Sequence, residues 1–265
     1  GNHRSRKETL MAKRTTKRRH AQGVLNVQEF QRDDRRQRNL QVLDGGYQPA
    51  NDATTRETSF VKNIRAKSKG QTALMEAIDT HSLCLALGPA GTGKTYLAIA
   101  KAVEALEGGK VGRIVLSRPA VEAGESLGFL PGAMEDKLAP YLRPLYDALQ
   151  DRLSPKRLKA LMAEGLIEIA PVGFMRGRTL NNAFVVIDEA QNCTYGQIKM
   201  LLTRLGWNST MVVTGDPAQT DLLPDLSGLA SVADKLENVG NIAVCRLTDS
   251  DIVRHPLVAA MLGVL

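Results

Sequence analysis

The sequence GPAGTGKT at residues 88–95 matches the pattern GxxxxGK(S/T) of a phosphate-binding loop. The apolar run at residues 83–87 predicts a β-strand before the loop, and residues 94–106 have the pattern of a helix after it. Glycines let backbone N–H groups turn toward phosphate oxygens, and a helix N-terminus adds further donors and a favourable dipole. This order of strand, loop and helix predicts a nucleoside triphosphate site inside an α/β fold.

The chain has 265 residues, of which 43% are hydrophobic, so it is long enough for one large α/β domain with a buried core. Its charge is unevenly placed. Residues 1–40 contain 12 of the 35 Lys/Arg residues and 4 of the 28 Asp/Glu residues. The rest of the chain therefore contains 23 basic and 24 acidic residues. A stretch rich in Gly, Pro, Asn, Asp and Thr follows at residues 44–58. We therefore expect a basic, flexible N-terminal extension at residues 1–58, in which a short helix is considered at 27–40, and a single domain at residues 59–265. Such a tail either contacts nucleic-acid phosphates or is only solvated, and the sequence leaves that choice open.

Short apolar runs alternate with helical patterns along this domain. Strands are predicted at residues 83–87, 113–116, 166–170, 184–188, 211–214 and 242–247. Helices are predicted at residues 94–106, 134–152, 155–163, 195–205, 226–236 and 256–262. Such alternation is typical of a mainly parallel sheet with helices on both faces.

Two adjacent acids follow a buried strand in the sequence FVVIDEAQ, residues 184–191. The carboxyl ends of parallel strands are where α/β sheets bind ligands. We expect Asp188 to hold Mg²⁺ through water together with the hydroxyl of Thr95, Glu189 to polarise the attacking water, and Lys94 to reach the β- and γ-phosphates. The alternative is that the two acids only cap the following helix.

A third polar segment, VVTGDPAQ at residues 212–219, ends the next strand and offers a polar group to the γ-phosphate. An ordinary Gly-Asp-Pro turn is the alternative interpretation. Arg176, Arg178 and Arg254 are candidates to neutralise charge in a transition state, as an arginine finger does. A surface role for each arginine is the alternative, and spacing alone leaves the choice open.

Several motifs in one order connect the chain to a known family. They are GPAGTGKT, RPAVEAGESLGFLPG (118–132), MRGRT (175–179), VVIDEAQN (185–192), TGDPAQTDL (214–222) and DIVRHPLV (251–258). Over about residues 60–262 the chain resembles the PhoH family of phosphate-starvation-inducible ATPases. The resemblance implies a single RecA-like domain related to the core of superfamily 1 helicases. It also implies ATP hydrolysis and a ring with nucleotide sites at subunit interfaces.

Residue by residue, the resemblance makes Gln71 the reader of adenine and Gln219 the γ-phosphate sensor. It makes Arg178 and Arg254 finger candidates and residues 118–132 the segment that contacts nucleic acid. The predicted nucleotide-binding residues are Gln71, Gly88, Pro89, Ala90, Gly91, Thr92, Gly93, Lys94, Thr95 and Tyr96. The predicted ligands of Mg²⁺ are Thr95 and Asp188. The predicted catalytic residues are Lys94, Glu189, Gln219, Arg178 and Arg254.

The motif set predicts an Mg²⁺-dependent ATPase that remodels or unwinds RNA, or another single-stranded nucleic acid, as a homo-oligomeric, hexameric ring. A single core domain lacks the second half of a helicase cleft, so the completing arginine is expected from a neighbour. A P-loop kinase of a small molecule is the rival enzyme. A non-catalytic nucleic-acid-binding protein with nucleotide as a switch is the non-enzyme rival. A GTPase is disfavoured because no NKxD motif follows the acidic strand.

The sequence also bears on the compartment of the protein. No run of about 18 apolar residues predicts a membrane span, and no apolar stretch follows the basic N-terminus as in a secretory signal. The cysteines, Cys84, Cys193 and Cys245, form neither a CxxC nor a zinc motif. We therefore expect a cytoplasmic protein with reduced thiols and no membrane partner.

Overall fold

A computed structural model describes residues 63–119, 134–222 and 227–264. Six strands form one sheet: β1 Leu83–Leu87, β2 Arg113–Arg118, β3 Ile167–Pro171, β4 Ala183–Ile187, β5 Thr210–Gly215 and β6 Ile242–Arg246. The helices are α1 Lys69–Thr80, α2 Lys94–Glu107, α3 Met134–Gln150, α4 Pro155–Ala163, α5 Tyr195–Leu202, α6 Leu229–Leu236 and α7 Pro256–Leu262. Short 3₁₀ turns lie at Val172–Met175, Ala190–Asn192 and Asp249–Asp251.

Every strand pair in this sheet is parallel, and the strand order is β3-β2-β4-β5-β1-β6. Because side chains alternate across a strand, β1 supplies both hydrophobic cores. Cys84 and Ala86 pack into a core with α1 to α4, while Leu85 and Leu87 pack into a second core with α5 and α6. Helices therefore cover both faces, and the predicted fold class, a RecA-like P-loop domain with a parallel sheet, is confirmed.

The predicted strands are all present among the described residues, and most of their ends differ by one or two residues. The acidic strand ends at Ile187, so Asp188 lies just beyond it and not inside it as predicted. The helix predicted to reach residue 205 ends at Leu202, because Arg204 and Leu205 bond to carbonyls three residues back in a tighter turn. The N-terminal extension expected at residues 1–58, with the helix considered at 27–40, lies outside the described residues. So do residues 120–132 of the segment expected to contact nucleic acid.

One helix, α1, was missed by the sequence analysis. Serine is a preferred N-cap residue, and the sequence contains one at the start of this helix. In the structure the Ser68 hydroxyl accepts a hydrogen bond from the N–H of Gln71. Its buried stripe contains Leu74, Ala77 and Ile78 together with Gln71. Apolar and polar residues are separated on this helix at least as clearly as on α2, α4 and α5, so the pattern was available in the sequence.

The strand order decides where the site lies. β5 is inserted between the loop-bearing strand β1 and the acidic strand β4, with Leu87 opposite Gly215 and Ile187 opposite Val213. Since the strands are parallel, the P-loop, the two acids and the segment after β5 meet at one edge of the sheet.

Candidate nucleotide site

The loop between β1 and α2 has the backbone of a phosphate cradle. Gly91 and Gly93 adopt φ values of 83° and 82°, a region that glycine occupies without steric cost. Gly93 is the N-cap of α2 and has no side chain to satisfy the first N–H groups of the helix. A side chain at Gly88 would place its Cβ 2.5 Å from the carbonyl oxygen of Leu247. The loop therefore leaves donors available for an anion and tolerates no larger residue at its first position.

Lys94 is a buried cation at the centre of this loop. Its residue is only 8% exposed, and its Nζ donates to the carbonyl oxygens of Gly88 at 2.6 Å and Pro89 at 2.8 Å. Burial lowers the pKa of Lys94, and the carboxylates of Asp216 and Glu189 oppose that shift. The ammonium thus lies where an anionic phosphate would be stabilised.

Asp188 is oriented by two hydroxyl groups. Its Oδ1 accepts hydrogen bonds from Thr95 Oγ1 at 2.5 Å and from Thr214 Oγ1 at 2.7 Å. The residues described contain no group of three or more His, Cys, Asp or Glu placed to hold a metal ion. One carboxylate and one hydroxyl suit Mg²⁺, which takes oxygen ligands and completes its shell with phosphates and water. Thr95 and Asp188 therefore fit the predicted magnesium site.

Glu189, the residue after Asp188, has a left-handed backbone conformation and a side chain that contacts Arg118 and Gln191. Its φ of 54° and ψ of 40° lie in the left-handed region, which non-glycine residues seldom adopt. One carboxylate oxygen lies 3.4 Å from Nη2 of Arg118, and the other accepts a hydrogen bond from the amide of Gln191. Gln191 also accepts from the N–H of Asp216 at 3.1 Å, which connects Glu189 to the segment after β5.

These groups surround one cavity of about 280 Å³. The P-loop and α2 contribute Ala90, Gly91, Gly93, Lys94, Thr95 and Tyr96. The ends of β4 and β5 contribute Asp188, Glu189, Gln191, Gly215, Asp216 and Gln219. The structure thus brings together five P-loop residues, Tyr96, both acids and Gln219, whereas the predicted Gly88, Pro89 and Thr92 do not line the cavity.

Other predicted residues lie outside the cavity walls. The amide of Gln71 donates to the carbonyl oxygen of Thr92 at 3.0 Å, beside the loop. Arg178 forms a two-point ion pair with Glu168, each contact 2.7 Å long. Arg254 is solvent-exposed in the segment after β6. The roles assigned to these three residues, like those of the residues that line the cavity, stay predictions.

No role was predicted for Thr214, Gln191 or Asp216, and Arg118 was predicted only as the first residue of the segment 118–132 that contacts nucleic acid. Their signal was weak, because polar residues at strand ends are common and contact between them depends on the strand order.

A larger cleft of about 980 Å³ opens at the N-terminal ends of the strands, beside the exposed Trp207, and contains none of the predicted site residues.

The parallel sheet, with a phosphate-binding loop and two acids at the carboxyl ends of its strands, defines the class of the protein, a P-loop NTPase. The family model described as PhoH-like protein matches residues 63–265, and the chain belongs to this family. None of the helices in the described part of the chain has the length and apolar character needed to cross a bilayer.

Curated relatives agree with this assignment. The PhoH-like protein of Mycobacterium tuberculosis (strain ATCC 25618 / H37Rv) is 56% identical over 199 residues, which cover 75% of this chain and 56% of the relative. The PhoH-like protein of Bacillus subtilis (strain 168) is 54% identical over 202 residues, which cover 76% of this chain and 63% of the relative. Protein PhoH of Escherichia coli (strain K12) is 43% identical over 205 residues, which cover 76% of this chain and 58% of the relative. The matched part of the chain thus spans 56 to 63% of these relatives.

Solved structures give more distant similarities. The large terminase of a thermophilic bacteriophage has a TM-score of 0.48 at 13% identity, with 74% of this chain and 49% of that chain covered. The SWI2/SNF2 ATPase core of Sulfolobus solfataricus, in complex with dsDNA, has a TM-score of 0.43 at 16% identity, with 75% and 51% covered. At these values the similarity is one of coarse architecture only.

Proposed function

We propose that the chain hydrolyses ATP with Mg²⁺ at the cavity beside the P-loop. The observation that carries the proposal is the contact of Thr95 with Asp188, which joins the phosphate-binding helix to the acidic strand at 2.5 Å. In this function Lys94 and the N–H groups of the loop bind the phosphates, and Thr95 and Asp188 hold the metal. The bound Mg²⁺ would neutralise phosphate charge.

Glu189 is the group that favours hydrolysis over transfer to an acceptor. It adjoins the metal-binding acid and lines the same cavity as Lys94 and Gln219. A carboxylate held there is suited to orient and polarise an attacking water. A kinase of a small molecule remains the rival, and it requires an acceptor beside the γ-phosphate.

Coupling to RNA or single-stranded nucleic acid is the second part of the proposal. It rests on the resemblance of the motif set to superfamily 1 helicases and on the basic composition of residues 1–40. Lysines and arginines in such a segment would bind phosphates and release counterions. Because this attraction is electrostatic, the affinity would fall with added salt.

A ring of identical chains is the third part. The described cavity contains no arginine from the pair proposed as fingers, and Arg178 is already engaged by Glu168. Arg254 is exposed on the segment whose Val253 N–H donates to the carbonyl oxygen of Gly91 in the P-loop, 2.9 Å away. We therefore favour Arg254 as the group that one subunit supplies to its neighbour.

The decisive experiment measures steady-state ATPase with single-stranded RNA, with single-stranded DNA and with neither. Glu189→Gln should bind ATP and lose nearly all turnover, while the matched control Glu164→Gln, at an exposed position, should keep it. Stimulation by RNA supports remodelling. Transfer of phosphate to a metabolite would establish the kinase, and RNA binding without any turnover in the unmutated protein would establish the non-catalytic binder.

The ring and the tail have separate tests. Light scattering should give a multiple of the subunit mass, and full activity in a monomer would refute the ring. Removing residues 1–58 should weaken RNA binding and flatten its dependence on salt, whereas an unchanged salt slope would assign binding to the domain itself.

A further inference from the structure

Arg118 is the last residue of β2 and lies directly beside both acids. β2 and β4 are neighbours in register, with Ser117 opposite Ile187, and the N–H of Asp188 donates to the carbonyl oxygen of Ser117 at 2.8 Å. This pairing brings the guanidinium of Arg118 to Asp188 and Glu189, residues that lie 70 and 71 positions later in the chain.

The guanidinium uses two different nitrogens for the two acids. Nη1 lies 3.7 Å from Oδ2 of Asp188, and Nη2 lies 3.4 Å from Oε1 of Glu189. Its own side chain is only 22% exposed, and that of Asp188 is 5% exposed. Within the described ranges, Arg118 is the cation that forms ion pairs with both carboxylates. A planar fork with separated donors can span two acids, which a lysine ammonium cannot do in the same geometry.

The site needs such a cation for a physical reason. Two adjacent carboxylates repel each other, and the charge of Asp188, which is buried, is costly without a partner, whereas the side chain of Glu189 is 37% exposed. The remaining oxygen of Asp188 is already bonded to Thr95 and Thr214, and the remaining oxygen of Glu189 is bonded to Gln191. Both carboxylates thus have hydrogen-bond donors on one side and the positive charge of Arg118 on the other.

We propose that Arg118 is a positioning residue with two effects: it fixes Glu189 for the attacking water, and it competes with the metal ion for Asp188. The proposal rests on the proposed ATPase function. A guanidinium and a divalent cation at one carboxylate repel each other, so the ion pair of Arg118 with Asp188 weakens metal binding. The ion pair with Glu189 limits the rotamers of the group that must hold a water in line.

The test compares Arg118→Gln and Arg118→Lys with the unmutated protein. Arg143→Gln is the matched control, because Arg143 is an exposed arginine whose ion pair with Asp147 is 3.4 Å long and remote from the cavity. Two quantities are measured: kcat and KM of the ATPase, and the Mg²⁺ concentration that half-saturates ADP binding in calorimetry. The calorimetric arm needs no turnover.

Arg118→Gln should lower kcat by about tenfold or more, because a loosely held base misplaces the water, and should leave KM within about threefold. The half-saturating Mg²⁺ concentration should fall by about threefold or more, because a competing charge is gone. Arg118→Lys should restore the Mg²⁺ dependence, since it keeps the charge, but should not restore kcat. Arg143→Gln should change neither quantity.

Unchanged kcat and unchanged Mg²⁺ dependence in Arg118→Gln would overturn the proposal. So would loss of ADP binding in EDTA together with a lowered Tm in both Arg118 variants, since that pattern indicates a structural role alone. Failure of the underlying function is distinguishable: it would appear as absence of ATP hydrolysis in the unmutated protein, whatever the Arg118 variants do to the Mg²⁺ dependence of ADP binding.

Discussion

Asp251 connects the segment after β6 to the start of α1, and its replacement by asparagine should destabilise the fold beside the P-loop. Its Oδ1 accepts the N–H of Gly70 at 3.1 Å, and its Oδ2 accepts the N–H of Thr248 at 2.9 Å. Its residue is 6% exposed. Two residues further on, the N–H of Val253 donates to the carbonyl oxygen of Gly91. The contact therefore helps to fix the segment that touches the P-loop.

The expected loss follows from these contacts. Asparagine keeps one acceptor oxygen, but it turns an amide N–H₂ toward the other backbone donor and removes the charge at the N-terminus of α1. A hydrogen bond to a charged group contributes about 1.5–3 kcal/mol, and a helix-terminal charge adds about 0.3–1 kcal/mol. We expect Asp251→Asn to lower the free energy of unfolding by about 2 kcal/mol. For a chain of this size that corresponds to a fall in Tm of roughly 4–8 °C.

The pH dependence gives a second observable. The hydroxyl of Ser68 and the N–H of Thr248 hold the pKa of Asp251 below its ordinary value, against the opposing effect of burial. A lowered pKa stabilises the fold fully above the ordinary carboxyl value of about 3.9. That contribution is lost as the pH falls through the lower, folded-state pKa. The difference between the two proteins should thus be constant near neutral pH and shrink in acid.

Urea denaturation followed by circular dichroism measures both effects, at neutral pH and at steps below pH 5. Asp249→Asn is the control, because Asp249 is exposed in the same 3₁₀ turn and should change stability by less than about 0.5 kcal/mol. Equal stabilities of the two variants would refute the reasoning. So would a difference that stays the same down to the lowest pH at which the protein folds.

Three further predictions concern packing, the loop and the thiols. Leu116→Ala, in the centre of β2, should cost about 2–5 kcal/mol in urea denaturation, while Leu257→Ala on the exposed surface of α7 should cost far less. Gly93→Ala should cost about 1–2 kcal/mol because of the left-handed backbone and should weaken ADP binding in calorimetry; unchanged affinity would contradict it. Burial raises the pKa of Cys193 to about 12, whereas a hydrogen bond with Cys84 lowers the pKa of the half-buried Cys245. Iodoacetamide followed by mass spectrometry should therefore modify Cys245 first and Cys193 only on unfolding.

Much of the fold was predictable because the deciding signals are local. The strand, glycine-rich loop and helix around residues 88–95 are contiguous, and apolar runs mark each strand of the sheet. The helix α1 has local signals of the same kind, the cap residue Ser68 and an amphipathic stripe, and it is the element that the prediction omitted.

The sequence by itself determined that a phosphate loop and two acids lie at the carboxyl ends of strands in one parallel sheet. Only the tertiary structure decided which polar groups meet there. Arg118 touches Glu189 because β2 is the neighbour of β4, and Thr214 reaches Asp188 because β5 is inserted between β4 and β1. A strand's position in a sheet is settled by packing between distant segments, and no pattern of consecutive residues encodes it.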